Sequence, residues 1–266
     1  MTEFLSVDEL AGRIPDGSLV AIPPDHVGVA MAATRALLRR GARGLRLLAV
    51  PTSGLQADLL IGAGAVAEIE AAGVMLGEAG AAPRFTAAAK AATLSIRDAT
   101  CPAIHAGLQA AEKGIPFMPL RGILGSDLIA ARSDWRVADN PYGDDDPILL
   151  LPALKPDIAL FHAPLADRAG NVWIGRRREL VTMAHAARKT LVTVEGIAEE
   201  DLFAREATAA GALSSLYIGA VALAPKGAWP LGLTEHYATD DVHLADYAKA
   251  ARSEASFRDY LAQHVL

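Results

Sequence analysis

The sequence is poor in cysteine and in aromatic residues. Cys101 is its single cysteine, which excludes an internal disulfide and a zinc site built from cysteines. Aromatic residues make up only 5% of the 266 residues, and the basic residues are scattered apart from the arginine run at 176–178. Nucleic-acid-binding surfaces combine clustered basic residues with aromatic ones, so we expect no nucleic-acid partner.

Long apolar runs are also missing. No run approaches the ~20 residues that a membrane-spanning helix needs, and the opening MTEFLSVDEL lacks the basic and apolar regions of a signal peptide. The chain is nevertheless 52% hydrophobic, with a net charge of −6. This combination indicates strands buried on both faces, as in a parallel sheet, or a large subunit interface. We therefore expect a soluble cytoplasmic protein that does not attach to a membrane.

Short apolar runs alternate with helical patterns along the chain. Ser6 and Glu9 have the spacing of a capping box, which predicts a helix over Val7–Arg13. Gly41 and Gly114 are predicted to end helices and Pro102 to lie at a helix start. The other predicted helices are 29–41, 102–114, 179–189, 197–207, 242–252 and 256–265. The predicted strands are 18–22, 45–50, 93–98, 116–120, 147–154, 158–163, 190–195 and 215–224.

This alternation predicts an α/β fold with an open, mostly parallel sheet flanked by helices. We interpret residues 1–266 as a single domain with a C-terminal helical arm over about 235–266. Ligands of such sheets bind beyond the carboxyl ends of the strands. The loops that follow predicted strands are 23–28, 51–54, 77–80, 99–102, 120–127 and 162–171.

Motifs for nucleotide or metal binding are incomplete. GAGAVA at 62–67 has the spacing of a dinucleotide fingerprint, but the following EIEAAG is too short for the helix that such a motif opens. A packed turn is therefore favoured. The seven histidines show no metal-ligand spacing, so no metal site is expected. The acidic stretch NPYGDDDP at 140–147 indicates an exposed turn.

Three residues near predicted strand ends leave two interpretations open. Glu78, between two glycines in GVMLGEAG, is either a solvated turn residue or an acid that meets a substrate close to the backbone. His26, beside Asp25, is either a surface residue or part of an anion site at a helix N-terminus. Cys101 is either a small pocket-lining residue or a thiol activated by the helix start.

Several stretches, taken together, resemble one family. They are GVMLGE, RDATCPAIHAGLQAAEKGIPFMPLRGILGSDL, PALKPDIALFHAPLADRAGNVWIG, TMAHAARKTLVTVE and the closing GAWPLGLTEHYATDDVHLADYAKAA. They are similar to the α (A) subunit of the two-subunit family I CoA-transferases of the glutaconate and 3-oxoacid type. The resemblance extends from about Ser6 to the final helix. It implies one CoA-transferase α-subunit domain, with the fold shared by ribose-phosphate isomerases and sugar-phosphate deaminases.

The resemblance also implies a reaction and a partner. In the family a glutamate attacks an acyl-CoA thioester, the released CoA attacks the mixed anhydride, and an acceptor carboxylic acid repeats both steps in reverse. That glutamate lies in a Glu-Asn-Gly stretch of the β subunit, and this chain has no such stretch; Glu195 in TVEGI matches a different strand end. We therefore expect no catalytic nucleophile in this chain, a partner β subunit in a heterodimer or α2β2 assembly, and coenzyme A thioester as a substrate rather than a permanently bound cofactor.

The same resemblance identifies loops expected to line the substrate. Within it, Glu78 is expected to shape the site rather than to attack the substrate. The expected lining residues are Asp25, His26, Gly28, Thr52, Ser53, Gly54, Gly77, Glu78, Thr100, Cys101 and Arg121.

Two departures from the family pattern leave the reaction open. PPDHVGVA replaces the family's glycine-rich loop and keeps only Gly28, and its prolines remove backbone donors. Cys101 stands where relatives have a glutamine or, in a ring-cleaving hydrolase branch, an acid. A CoA-thioester or C–C hydrolase subunit on the same fold, or a non-catalytic subunit, therefore remains an alternative. A sugar-phosphate isomerase is disfavoured by the length of the chain and by its C-terminal segment.

Overall fold

The computed structural model describes residues 2–266, in which one large sheet carries helices on both faces. The strands are β1 Glu3–Leu5, β2 Leu19–Ile22, β3 Leu45–Ala49, β4 Val66–Ala71, β5 Ser95–Asp98, β6 Phe117–Leu120, β7 Arg136–Asp139, β8 Pro147–Pro152, β9 Ile158–Asp167, β10 Val172–Trp173, β11 Lys189–Ala198, β12 Ala212–Leu213 and β13 Ile218–Leu223. The α-helices are α1 Val7–Gly12, α2 Met31–Arg40, α3 Leu55–Gly62, α4 Pro83–Lys90, α5 Cys101–Glu112, α6 Asp127–Ala131, α7 Arg178–Ala186, α8 Glu206–Ala209, α9 Asp241–Ala250 and α10 Glu254–His264.

The large sheet has the strand order β1-β13-β11-β9-β2-β3-β4-β5, and every neighbouring pair along this path is parallel. The short strands β10 and β12 add an antiparallel extension beside β9. The predicted open, mostly parallel sheet is confirmed. The strand order reverses between β2 and β9, because the chain builds β2 to β5 outward in one direction and later strands in the other.

Burial on both faces explains the apolar strands. In β3 and the residue after it, Leu45, Leu47 and Ala49 belong to one hydrophobic cluster, whereas Leu48 and Val50 belong to the cluster on the opposite face. Successive side chains of a strand point to opposite faces, so a central parallel strand needs apolar residues at nearly every position. The high hydrophobic content is thus accounted for by a sheet covered on two sides.

Local signals at helix ends are confirmed where they are self-contained. The Ser6 hydroxyl accepts a hydrogen bond from the Glu9 N–H at 3.2 Å, and the Glu9 carboxylate accepts one from the Ser6 N–H at 2.8 Å. Gly41 ends α2 with a φ of 77°, a left-handed conformation that costs glycine little. Pro102 lies in the first turn of α5.

Two stretches differ from the prediction. The predicted helix 197–207 is wrong, because β11 continues to Ala198 in register with Asp167 of β9 and leaves only the short α8 afterwards. Extended pairing with β9 overrides the local helix pattern. The GAGAVA turn is confirmed, but it joins α3 to β4, which the sequence did not predict. Helix α3 is buried around its whole circumference, so it has no apolar face that periodicity could reveal.

A second, smaller sheet was not predicted. Strands β6, β8 and β7 form an antiparallel sheet in the order β6-β8-β7, and the acidic turn predicted at 140–147 connects β7 to β8. Pro119 lies in β6, an edge strand that tolerates the missing N–H. Arg132, which precedes β7, is 5% exposed and binds Glu70 of β4, with Nη2 at 2.7 Å from the Glu70 carboxylate.

The C-terminal helices pack on the large sheet's helical layer. Tyr247 of α9 is fully buried and donates a hydrogen bond to the carboxylate of Asp58 in α3 at 2.7 Å. Phe257 and Tyr260 of α10 join the same hydrophobic cluster. Across residues 2–266, no helix is both long and apolar enough to cross a membrane.

Candidate active site

Most of the predicted lining residues converge beyond the carboxyl ends of β2, β3 and β4. These strands lie next to the reversal of strand order, which is where open α/β sheets bind ligands. A cavity of about 650 Å³ opens there. The predicted residues that line it are Asp25, His26, Thr52, Ser53, Gly77 and Glu78.

Asp25 is held by the start of α3. Its Oδ2 accepts a hydrogen bond from the Leu55 N–H at 3.0 Å, whereas Oδ1 is buried and has no hydrogen-bond partner among the described residues. The residue as a whole is half-buried, but its carboxyl group is far more enclosed. Burial raises the pKa of Asp25 to about 6, and the backbone hydrogen bond offsets this only in part. Asp25 therefore changes charge close to neutral pH.

Gly54 makes this position of Asp25 possible. A Cβ atom at Gly54 would stand 2.2 Å from Asp25 Oδ2, so any larger residue would displace the carboxyl group. Gly28 has a similar supporting role from the β2–α2 loop. Its φ is 108°, a Cβ there would stand 2.2 Å from the His162 carbonyl oxygen, and its own carbonyl accepts the His162 N–H at 2.8 Å. Neither glycine is part of the cavity lining itself.

Ser53 and Glu78 form the opposite sides of the cavity entrance. Ser53 is 3% exposed, and its hydroxyl has no partner in the described part of the chain. Glu78 is exposed within the short 3-10 helix Gly77–Ala79 that follows β4. Glu78 is therefore both a turn residue and a cavity residue, and the two interpretations of it are compatible.

Thr100, Cys101 and Arg121 are placed elsewhere. Thr100 caps α5 by accepting the Ala103 N–H at 3.3 Å, and Cys101 is an exposed residue at the start of that helix. Arg121 lies beside the small sheet and pairs with Asp146 at 2.5 Å. The cavity around Asp25 does not include these three residues.

The far wall of the cavity comes from residues that the sequence did not single out. They follow the last strand, so only tertiary packing brings them to this edge of the sheet. They are Leu231, Thr239, Asp241, Leu244 and Ala245.

A buried network lies at the ends of β9 and β11, beside the same reversal of strand order. His162 is fully buried, with Nδ1 at 2.8 Å from the Thr193 hydroxyl and Nε2 at 2.7 Å from Glu195 Oε1. Glu195 also accepts hydrogen bonds from the Tyr237 hydroxyl at 2.6 Å and from the N–H groups of Lys226 at 2.7 Å and Gly227 at 3.2 Å. The network ties the segment after β13 to the sheet.

The hydrogen bonds determine the charge of Glu195. Burial alone would raise the pKa of this carboxyl, but the bonds from His162, Tyr237 and the Lys226 N–H outweigh burial and hold the pKa at about 2. Burial and the bond to Glu195 raise the pKa of Tyr237. Because the carboxylate accepts, His162 Nε2 carries the proton in this pair. Glu195 is ionised, fully engaged by donors and poorly suited to attack a substrate.

A second cavity, of about 700 Å³, adjoins the first. His26 lines both cavities. Arg176, Arg177 and Arg178 line this second cavity together with Glu179 and Glu235. No group of three or more His, Cys, Asp or Glu side chains within residues 2–266 is arranged to hold a metal ion.

Comparison with known proteins identifies the family. The model of the family described as Coenzyme A transferase matches residues 4–213, which is most of the chain. The chain belongs to the Coenzyme A transferase family.

Relatives within and around this family carry several activities. The chain is 29% identical to a cholesterol ring-cleaving hydrolase IpdA subunit of Rhodococcus jostii, over 98% of this chain and 91% of the relative. It is 28% identical to one subunit, of the A type, of a 3-oxoadipate CoA-transferase of Pseudomonas knackmussii, over 100% and 94% respectively. An uncharacterized protein of Archaeoglobus fulgidus is 31% identical over 98% of this chain, which spans only 59% of that longer relative.

Solved structures agree with the family fold. Glutaconate coenzyme A-transferase of Acidaminococcus fermentans superposes with a TM-score of 0.91 and 24% identity, over 99% of this chain and 89% of that chain. The decarboxylase AibA/AibB superposes with a TM-score of 0.84 and 27% identity, over 99% of both chains. The Coenzyme A transferase fold expected from the sequence is confirmed.

Proposed function

We propose that the chain is the α subunit of a CoA-transferase that moves coenzyme A between an acyl-CoA and a carboxylic acid. The observation that carries this proposal is the convergence of Asp25, His26, Thr52, Ser53, Gly77 and Glu78 on one cavity beside the reversal of strand order. Membership of the Coenzyme A transferase family and relatives named as CoA-transferase subunits support the class of reaction.

A partner β subunit supplies the nucleophile in this proposal. A partner glutamate oxygen attacks the thioester carbonyl carbon, the C–S bond breaks and coenzyme A leaves as a thiolate. The thiolate then attacks the glutamyl carbonyl, which releases the first acid and leaves a glutamyl-CoA thioester. The acceptor carboxylate repeats both steps in reverse. A carboxylate needs close positioning and partial desolvation for this chemistry, which an enclosed cleft between two subunits provides.

The chain itself contributes the acyl side of the cleft. Gly77 brings backbone close to the cavity, and Ser53 offers a hydroxyl that no other described residue engages. Asp25 adds an acid whose pKa of about 6 lets it hold a proton near a substrate oxygen. Glu195 is not the nucleophile in this account, because four donors already occupy its carboxylate.

Reconstitution tests the proposal. The chain is purified alone and together with a co-expressed partner that contains a Glu-Asn-Gly stretch, and CoA transfer from an acyl-CoA to acetate is measured. We expect transfer only from the complex, and a glutamyl-CoA adduct on the partner after trapping and mass spectrometry. Full-rate transfer by the purified chain alone would contradict the proposed division of roles.

A hydrolase subunit is the second candidate function. The 29% identity to a cholesterol ring-cleaving hydrolase subunit over nearly the full length of both chains favours it. Product analysis separates the two functions. Release of free acid from the thioester, or cleavage of a C–C bond, without any acceptor acid indicates hydrolysis, whereas dependence on an acceptor acid indicates transfer.

A further inference from the structure

Two cavities of opposite character meet at His26. The cavity around Asp25 contains the acids Glu78 and Asp241 as well, and its lining within residues 2–266 includes no lysine or arginine. The adjoining cavity contains three consecutive arginines, Arg176–Arg178. A ligand that extends through both cavities therefore meets an acidic environment at one end and guanidinium groups at the other.

The arginines have no carboxylate partners of their own. None of the three forms an ion pair within 4.0 Å among the described side chains, although Glu179 and Glu235 line the same cavity. Arg177 is half-buried, and its Nη1 donates to the Ile174 carbonyl at 3.1 Å, which fixes the middle of the run. Arg176 and Arg178 are exposed, so their planar forks of N–H donors are available to an anion.

The cavity is shaped by close packing around the arginines. Trp173 forms part of the wall, and a Cβ at Gly211 would stand 2.9 Å from its Nε1 and 2.8 Å from the Gly175 Cα. The absence of a side chain at Gly211 thus lets the indole lie against the backbone that leads into the arginine run. The arginines line a bounded cavity rather than a solvated surface.

We propose that Arg176 and Arg178 bind the phosphate groups of coenzyme A, so that the nucleotide end of the thioester occupies this cavity while its acyl end enters the cavity around Asp25. This inference rests on the proposed CoA-transferase function and adds a nucleotide subsite on this chain. Guanidinium groups bind phosphates by paired, charge-assisted hydrogen bonds, which a thioester lacking the nucleotide cannot make. The acidic cavity repels phosphates, and this fixes the direction of the ligand.

Substrate truncation tests the subsite. The complex with the partner subunit is assayed with an acyl-CoA and with the same acyl group on N-acetylcysteamine, which has the reacting end of coenzyme A without its nucleotide. For the double variant Arg176→Ala, Arg178→Ala we expect kcat/KM to fall by about tenfold or more with acyl-CoA and by less than about threefold with the truncated thioester. The double variant Arg176→Lys, Arg178→Lys should recover most of the activity with acyl-CoA, because the charge is retained.

Control variants separate the inference from a folding defect and from the proposed function. Arg252→Ala with Arg258→Ala makes the same change in net charge at exposed arginines and should leave both rates unchanged. Equal losses with the two thioesters, or no loss with acyl-CoA, would overturn the phosphate subsite while leaving CoA transfer intact. If the wild-type complex transfers neither thioester, the proposed function fails and the subsite with it.

Discussion

At the scale of single residues, Asp25 is a group that the fold retains at a cost in stability. Its carboxyl is enclosed, one oxygen has no partner among residues 2–266, and burial raises its pKa to about 6 from 3.8. Below pH 3.8 the carboxyl is protonated in both states. As the pH rises towards 6, the unfolded chain ionises first, so the stability of the folded state falls.

We therefore predict that Asp25→Asn stabilises the protein above pH 6. The gain should be about 1–3 kcal/mol at pH 8 and close to zero at pH 4, because the amide keeps the acceptor for Leu55 and removes the buried charge. Urea unfolding at the two pH values measures the difference. Asp259→Asn, at an exposed aspartate, is the matched control. An equal gain at both pH values would contradict the burial of a titrating group.

Glu195 shows the opposite shift in pKa and the opposite dependence of stability on pH. Its pKa of about 2 lies below the ordinary 4.5, so its ionised form stabilises the fold above pH 4.5, and that contribution disappears as the pH falls towards 2. We expect Glu195→Gln to lower the free energy of unfolding by about 2–3 kcal/mol at pH 7 and by about half as much at pH 3.

Guanidinium unfolding at pH 7 and pH 3 measures the Glu195 effect. Glu199→Gln removes an exposed carboxylate near the same strand end and serves as the control, with little change expected at either pH. If Glu195→Gln matches the wild type at pH 7, the hydrogen-bond network does not stabilise the sheet.

At the scale of elements, the loop from β2 to α2 depends on one glycine. Gly28 combines a φ of 108° with a backbone approach to His162 that leaves no room for a Cβ. We predict that Gly28→Ala costs about 2 kcal/mol or more, because the strained conformation and the clash with the His162 carbonyl add. In Gly12→Ala, at the end of α1, the new methyl group meets no atom within 4 Å, so this variant should be neutral or slightly stabilising.

Thermal melting of both glycine variants tests this prediction. Because Gly28 supports the loop that carries Asp25 and His26, CoA transfer by the complex should fall with Gly28→Ala and stay unchanged with Gly12→Ala. A Gly28→Ala variant with the wild-type melting temperature would show that the loop is free to move away from β9.

The elements also show which parts of the structure the sequence could predict. The capping box of Ser6 and Glu9 and the stop at Gly41 involve neighbours in the chain, so pattern alone was sufficient. Helix α3 could not be predicted, because its burial on all sides removes the amphipathic signal. The direction of β6 and β8 was equally hidden, since a short apolar strand reads the same in a parallel and an antiparallel sheet.

The candidate site follows the same division. Asp25, Ser53 and Glu78 were predictable because loops after neighbouring parallel strands meet at one edge of the sheet. The contacts of Glu195 with His162 and Tyr237 join residues 33 and 42 positions apart, and no local pattern indicates them. The resemblance to a family supplied the substrate class, which residue spacing alone did not.

At the scale of the whole molecule, a buried ion-pair cluster connects the small sheet to the edge of the large one. Arg132 binds Glu70 of β4 at 2.7 Å and Asp134 at 2.9 Å, and its Nη1 donates to the Asp98 carbonyl at 3.0 Å. Arg97 of β5 bonds to the carboxylates of both Glu70 and Asp134. Two arginines and two acids thus balance their charges at the junction.

We predict that Arg132→Met lowers stability by about 3–5 kcal/mol, because Glu70 is left buried beside only one arginine. Arg168→Met breaks an exposed pair with Glu199 and should leave the unfolding midpoint almost unchanged. Chemical unfolding followed by near-ultraviolet circular dichroism, which reports Trp135 beside Arg132, measures both variants. Equal midpoints for the two variants would mean that the small sheet is attached by its apolar contacts alone.

The far wall of the cavity around Asp25 belongs to the segment that follows the last strand. Thr239 and Leu244 lie there, beyond the region 4–213 that the Coenzyme A transferase model matches. Substitutions in this tail can widen or narrow the chamber without touching a single strand. Evolution can thus refit the enclosure to a differently sized guest while the architecture beneath it stays the same.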